Sequence, residues 1–193
     1  MKKINGKLLA ADIAECAIFV ALMTAGAYIQ IPFPLVPLTF QTVVSVLAGL
    51  LLGWKKGAIS MAVYCFVGLI GIPVFTGGGG IFYVLKPSFG YIIGFILSAL
   101  CAGLMAGRKG LPFWRYIVGA VAAFLVDYIV GIPYCIAAAH LLGVENLVNL
   151  LLTGNLVYMP KDLALSVLGG LLAWRVLPVI DKGRVKLGQA QNK

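Results

Sequence analysis

The sequence predicts an all-α integral membrane protein of six transmembrane helices, and three observations carry that expectation. Of the 193 residues, 62% are hydrophobic and only 11% charged, with a mean hydropathy of +1.04. A water-soluble fold carries about a quarter charged residues and cannot bury so much apolar surface. Six apolar runs, at residues 10–29, 40–54, 57–71, 89–106, 116–142 and 162–180, alternate with short segments rich in Pro, Gly and charge. Runs without a polar face are what helices need when lipid replaces water as the solvent. Finally, the basic residues fall on alternate connections: Lys2, Lys3 and Lys7, then Lys55 and Lys56, then Arg108, Lys109 and Arg115, then Lys182, Arg184, Lys186 and Lys193. The other connections hold only Lys86 and Lys161. By the positive-inside rule, both termini are expected to be cytoplasmic.

The first run continues into Pro32 and Pro34 without a polar boundary or small-residue cleavage site, so it reads as a retained helix rather than a signal peptide. Ala17, Ala21 and Ala25 recur every four residues on one face. Small residues at that spacing permit close helix approach in lipid, where packing drives association. The contact is either internal or with another membrane subunit. Asp12 and Glu15, at the cytoplasmic start of this helix, read as compensation of its dipole.

The second and third runs have about 15 residues each, and at 1.5 Å per residue they fall well short of the roughly 30 Å hydrocarbon layer. The connections at 31–37 and 72–83 are apolar and rich in helix breakers. Irregular backbone at membrane depth is tolerated only where protein buries it or it lines a cavity. A ligand pocket is therefore expected in the outer half, beneath extracellular loops.

Within the second of these connections stand Gly77, Gly78, Gly79 and Gly80. Their permissive dihedrals suit backbone N–H groups converging on an anion or a polar ligand edge, and equally suit a lid or hairpin. The run is not a P-loop, since no Gly-Lys-Ser/Thr follows it, so the chain encodes no ATP site. Phe75, Phe82, Tyr83 and Tyr91 surround the glycines, either to stack on a ligand or to form an interfacial belt.

Asp127 lies about halfway along the fifth run, where an ionised carboxylate costs about 2.5–3.5 kcal/mol on insertion scales. It either faces a cavity or bonds a neighbouring helix. Lys161 and Asp162 open the last run, with Asp162 either a binding residue or a helix cap. The leucine-rich stretch 141–159, with Asn146, Asn149 and Asn155, reads as an interfacial or re-entrant segment over the pocket. His140 is the only histidine, so neither a histidine-based metal cluster nor a Ser/His/Asp triad can be assembled. Cys16, Cys65, Cys101 and Cys135 stand singly, without ligand spacing, and read as buried free thiols. The net charge of +9 sits at the ends of apolar runs rather than in an aromatic-interleaved patch, which points to topology and not to nucleic acid. No paired acid/base constellation appears, so no enzyme is expected, and no metal or cofactor.

Several segments together resemble the BioY family, the biotin-binding S components of energy-coupling factor (ECF) vitamin transporters, over about residues 17–176. The most specific are Pro37-Leu-Thr-Phe-Gln-Thr42 running into Leu47-Ala-Gly-Leu-Leu-Leu-Gly53, and Gly71-Ile-Pro-Val-Phe-Thr-Gly-Gly-Gly-Gly80 followed by Lys86-Pro-Ser-Phe-Gly-Tyr-Ile-Ile-Gly-Phe95. The family's Gly-Pro-Thr-x-Gly-Tyr-x-x-Gly-Phe is met here with Lys86 and Ser88 as departures. Its Pro-Gly-Asp-x-x-Lys, whose Asp and Lys are implicated in biotin binding, is met by Pro160-Lys-Asp-Leu-Ala-Leu165. Asp162 carries over, Leu165 replaces the lysine, and Lys161 and Lys86 are the candidate sources of its charge. Asp127 falls where the family is usually apolar.

The resemblance implies one multi-pass S-component domain, 1–193, in the cell membrane, with short basic cytoplasmic tails at about 1–9 and 181–193. It implies high-affinity capture of biotin from outside, and delivery with a transmembrane coupling subunit and two cytosolic ATPases that alone use ATP. Ala17, Ala21 and Ala25 would face the coupling subunit. The residue reading and the resemblance together nominate Gln41, Phe75, Gly77, Gly78, Gly79, Gly80, Tyr83, Lys86, Tyr91, Asp127, Lys161 and Asp162 for the substrate site. Biotin suits them: its ureido N–H groups want acceptors such as Asp162 or Gln41, its thiophane ring wants apolar walls, and its valerate carboxylate wants Lys or backbone N–H donors. The competing readings are an S component for another small vitamin and a non-transporting membrane scaffold.

Overall fold

The computed structural model describes residues 6–32, 36–106, 111–144 and 158–190. Among them are six α-helices: α1 (Gly6–Tyr28), α2 (Gln41–Leu52), α3 (Trp54–Leu69), α4 (Phe89–Ala106), α5 (Phe113–Leu141) and α6 (Met159–Ala190). A 3-10 turn, Ile81–Leu85, precedes α4. Four spans, Ala10–Tyr28, Phe89–Ala106, Phe113–Leu141 and Met159–Ile180, are long and apolar enough to cross a membrane. The exposed side chains include many large apolar ones, among them Ile13, Ile18, Leu125, Ile129 and Leu168, as lipid-facing surfaces require. The chain is a multi-pass membrane protein.

Several helix ends differ from expectation by a few residues, and two of them have a clear cause or consequence. Helix α5 begins at Phe113, three residues before the expected 116, because Pro112 in extended conformation (φ −62°, ψ 148°) sets the start there and a proline is tolerated at a helix entrance. Helix α6 runs to Ala190 through Pro178, so most of the segment expected as a free basic tail from 181 continues the helix. An internal proline removes one backbone bond, which the surrounding turns absorb.

Helices α2 and α3 are short, at 12 and 16 residues, and only Gly53 separates them. Its φ of 80° turns the chain sharply, a conformation that a side chain would strain. Helix α2 packs on every other helix; α4 packs on α2, α3 and α5, α6 on α5 and α2, and α1 mainly on α2 and α3. The span of α4 is 61% buried against 22% for α1, which makes α4 central and α1 peripheral.

The core has two parts. One is built of alanines around Val46, Leu50 and Tyr116, among them Ala102, Ala106, Ala120 and Ala173, small residues that let helices approach. The other is aromatic, with Tyr64, Phe75, Tyr83, Tyr91, Phe95 and Tyr128, and surrounds the cleft described below. Helix α1 turns Phe19, Met23 and Ala27 inward, while Ala17, Ala21 and Ala25 are exposed. The internal contact left open for that face is thus not made by the described residues. Asp12 and Glu15 do more than offset a dipole: each lies 2.8 Å from Lys56 Nζ, joining the starts of α1 and α3.

Candidate ligand-binding site

Both irregular connections are organised by backbone pairing. Ile31 and Leu38 exchange N–H···O bonds of 2.9 and 3.0 Å, and Phe40 N–H donates to Gly26 O at 3.3 Å, which folds residues 36–40 back over α1. In the glycine loop Phe75 and Gly78 pair likewise (3.0 and 3.1 Å), and Gly80 N–H donates to Gly68 O at 2.8 Å. Those donors are committed inside the loop, so it is built as a hairpin-like flap and not as an anion nest of all four glycines. Gly68 gives the Phe75 ring its seat, since a Cβ there would lie 2.0 Å from the ring. The C-terminal end of α1 and the residues just after it hold the flap, Tyr28 hydroxyl donating to Pro73 O at 2.5 Å and Gln30 Nε2 to Thr76 O at 3.4 Å.

Between these connections and the helix ends lies a cleft of about 540 Å³, its open mouth included. Residues 36–39 and Phe75 and Thr76 form the wall on the loop side. Gln41 and Thr42 come from α2, Tyr64 from α3, Tyr91, Ile92 and Phe95 from α4, Tyr128 from α5 and Asp162 from α6. Tyr83, Ser88 and Tyr158 complete it. Edge-to-face contacts lock the aromatic wall: Tyr64 with Phe75 (5.4 Å, 75°) and Tyr91 with Tyr128 (5.7 Å, 78°). Such pairs hold rings in defined orientations.

Polar groups gather at two places in this apolar shell. Asp162 Oδ2 accepts from Tyr128 hydroxyl at 2.7 Å and stands 3.5 Å from Thr42 Oγ1. Its Oδ1 pairs with Lys161 Nζ at 2.6 Å, and the same ammonium donates to Thr39 O at 2.5 Å. Asp162 N–H donates to Tyr158 O at 3.0 Å, so the residue sits inside the first turn of α6 and its carboxylate serves tertiary contacts, not a cap. Beside it Asp127, fully buried, has Oδ2 3.5 Å from the same Thr42 Oγ1. Its Oδ1 has no hydrogen-bond partner among the described residues. The other polar place is a hydroxyl group of three: Thr76 Oγ1 lies 2.9 Å and Ser88 Oγ 3.4 Å from Tyr83 hydroxyl.

Of the nominated residues, Gln41, Phe75, Tyr83, Tyr91 and Asp162 stand together in the wall. Gly77, Gly78, Gly79 and Gly80 lie behind Phe75 and Thr76, outside the lining. Lys86 is exposed; its Nζ donates to Gly77 O at 3.1 Å and rides over the Tyr83 ring at 4.6 Å. Of the two lysines able to replace the family's missing one, Lys161 is therefore the partner of Asp162. Asp127 lies behind the wall, and Phe82 is 80% exposed. Asn146, Asn149 and Asn155 fall in 145–157, outside the described residues. Unforeseen were Tyr64, Tyr128 and Tyr158, and the parts played by Thr42, Thr76 and Ser88. Their only signal was a hydroxyl inside or beside an apolar run. No group of three or more His, Cys, Asp or Glu that could hold a metal occurs among the described residues.

Residues 1–182 match the sequence model of the BioY family. A relative from Lysinibacillus sphaericus, named a probable biotin transporter BioY, is 41% identical over 181 residues, 92% of each chain. This chain belongs to the BioY family. Among other BioY proteins, the biotin transporter of Rhizobium etli is 30% identical over 178 residues, covering 86% of this chain and 92% of its own. That of Thermotoga maritima is 37% identical over 122 residues, 63% and 72% of the two chains. The BioY fold is also seen in the 2.1 Å crystal structure of the S-component for biotin from an ECF-type ABC transporter. That structure superposes with a TM-score of 0.65 at 24% identity, over 90% of this chain and 94% of that one.

Proposed function

We propose that this chain is the biotin-binding S component of an ECF-type importer, a single membrane domain over 1–193 that captures biotin from outside. A transmembrane coupling subunit and two cytosolic ATPases would drive release to the inside. Its own part is binding and not catalysis, and no cofactor enters. The observation that carries the reading is the cleft itself. An ion-paired carboxylate, Asp162, and an amide, Gln41, stand in a wall that is largely aromatic and aliphatic with a few hydroxyls, which is the set of acceptors and apolar faces that a ureido-thiophane ring system requires. The hydroxyls of Thr76, Tyr83 and Ser88 offer donors to a carboxylate at the other polar place. Lys161 supplies the positive charge at Asp162, and Lys86 and the four glycines hold the flap. The names of the relatives support biotin over other vitamins.

In this reading the six helices all span, both termini are cytoplasmic and the cleft lies in the outer half. The Lys56 cluster at the inner end and the cleft beside the flap at the other fit that orientation. The exposed Ala17, Ala21 and Ala25 face is left for the coupling subunit. Calorimetry of the detergent-solubilised chain with biotin tests the proposal directly, with tight 1:1 binding expected. Absence of biotin binding alongside capture of another vitamin by mass spectrometry would replace the ligand, and absence of any vitamin would leave a membrane scaffold.

A further inference from the structure

Tyr64 is fully buried at the floor of the aromatic wall, and its hydroxyl bridges two groups. It lies 3.0 Å from the carbonyl oxygen of Val74 and 2.7 Å from Gln41 Nε2. The polarity of this chain is forced. A backbone carbonyl only accepts, a phenol has one proton, and that proton is therefore spent on Val74. What remains for Gln41 is a lone pair, so Gln41 must turn its NH₂ end toward Tyr64. The opposite end of the amide, Oε1, meets no donor among the described residues, and Gln41 lines the cleft. A glutamine without this partner presents either end to a ligand, and rotation about its last bond costs little.

We infer that Tyr64 is a specificity-determining positioning residue that locks Gln41 as an acceptor. The cleft then selects ligands that place an N–H donor opposite Gln41 and rejects those that place an oxygen there. The inference rests on the biotin reading above, since it assigns one ureido N–H to Gln41. Phe75 adds a mechanical tie: its ring packs edge-on against Tyr64 at 5.4 Å, and Val74 precedes it, so the relay is complete only while the flap is seated.

The probes are biotin and two analogues in which one or the other ureido N–H is replaced by ring oxygen, giving cyclic carbamates. An acceptor facing a fixed acceptor in a water-poor site is rejected strongly, so the unsubstituted chain should prefer biotin over one of the two carbamates by about 10- to 100-fold. In Tyr64→Phe the amide is free to turn and offer NH₂ to the ring oxygen, and that preference should fall to about threefold or less. Adding Gln41→Glu to Tyr64→Phe supplies a side chain that, measured at a pH where it is ionised, can only accept, and the preference should return. A merely structural Tyr64 would lower affinity for all three ligands by one factor, and an unchanged ratio in Tyr64→Phe overturns the inference. Should Tyr64→Phe not fold, nitrogen-15 spectra of the unsubstituted chain decide. The Gln41 side-chain NH₂, identified by its loss in Gln41→Met, should be protected before biotin is added and unchanged after. A free NH₂, or one that shifts onto the ligand, rejects the relay. Failure of the unsubstituted chain to bind biotin at all removes the functional reading and this inference together, whereas biotin binding with equal carbamate affinity removes only the inference.

Discussion

Thr42 brings together two carboxyl groups with opposite circumstances. Its single hydroxyl proton can serve Asp162 or Asp127 at a given moment but not both, and each carboxylate oxygen is 3.5 Å away. Asp162 has Tyr128 and Lys161 besides. Asp162→Asn keeps the shape and an oxygen for Tyr128 but removes the charge facing Lys161. We expect biotin affinity to fall by about 10- to 150-fold, equivalent to about 1.5–3 kcal/mol for a charge-assisted bond, with calorimetry as the readout; unchanged affinity would make Asp162 purely structural. Asp127 has no cation within ion-pair distance among the described residues, and Gly94 leaves the space its Oδ1 occupies, since a Cβ there would lie 2.2 Å from that oxygen. A buried carboxyl beside a second one costs stability. Asp127→Asn should therefore stabilise the fold by about 1–3 kcal/mol, seen as a melting temperature higher by several degrees, while biotin affinity changes by less than about threefold because Asp127 is outside the cleft wall. A lowered melting temperature would show that the carboxyl earns a partner the apo fold hides.

At the scale of elements, α1 is the least embedded helix yet is fastened at both ends. Lys56 clamps its N-terminal part to α3. Tyr28 and Gln30 fasten its C-terminal end to the flap, and the Ile31–Leu38 bridge ties it to the segment leading into α2. The alanine face lies between these attachments and carries none of them. Ala21→Leu adds bulk to that exposed face, so the chain itself should fold and bind biotin within about twofold of the unsubstituted protein. A partner helix seated there by close backbone approach would be blocked. Co-purification with the coupling subunit and cellular uptake should both fall sharply. Loss of biotin binding with assembly intact would mean that the face packs within the protein.

For the molecule as a whole, the two ends are chemically distinct: Lys55 and Lys56 with Asp12 and Glu15 at one, and the cleft with Lys86 and Lys161 at the other. In the orientation proposed above the first end is the cytoplasmic one, and α6 runs to Ala190, beyond its apolar span Met159–Ile180. Reporter fusions at either terminus should be active only as cytoplasmic reporters. An external carboxyl terminus would contradict six spans.

What the sequence determined by itself was the solvent, the six helices of the described residues and which connections are irregular. Lipid forces each spanning segment to satisfy its own backbone, and that requirement is local, so it is written in contiguous apolar runs and in the breakers between them. The short second and third runs already implied a pocket, and the family motifs already marked Gln41 and Asp162. The convergence of side chains was decided only by tertiary structure. Thr42 and Asp162 meet across 120 positions, and Tyr64 reaches Gln41 from another helix. On helices apolar on every side, periodicity does not say which face looks inward, so Tyr64 and Tyr128 gave no sign of their direction. The turning of the glycines behind the cleft wall depends likewise on how the flap is seated against Gly68, a contact between segments that no single stretch of sequence contains.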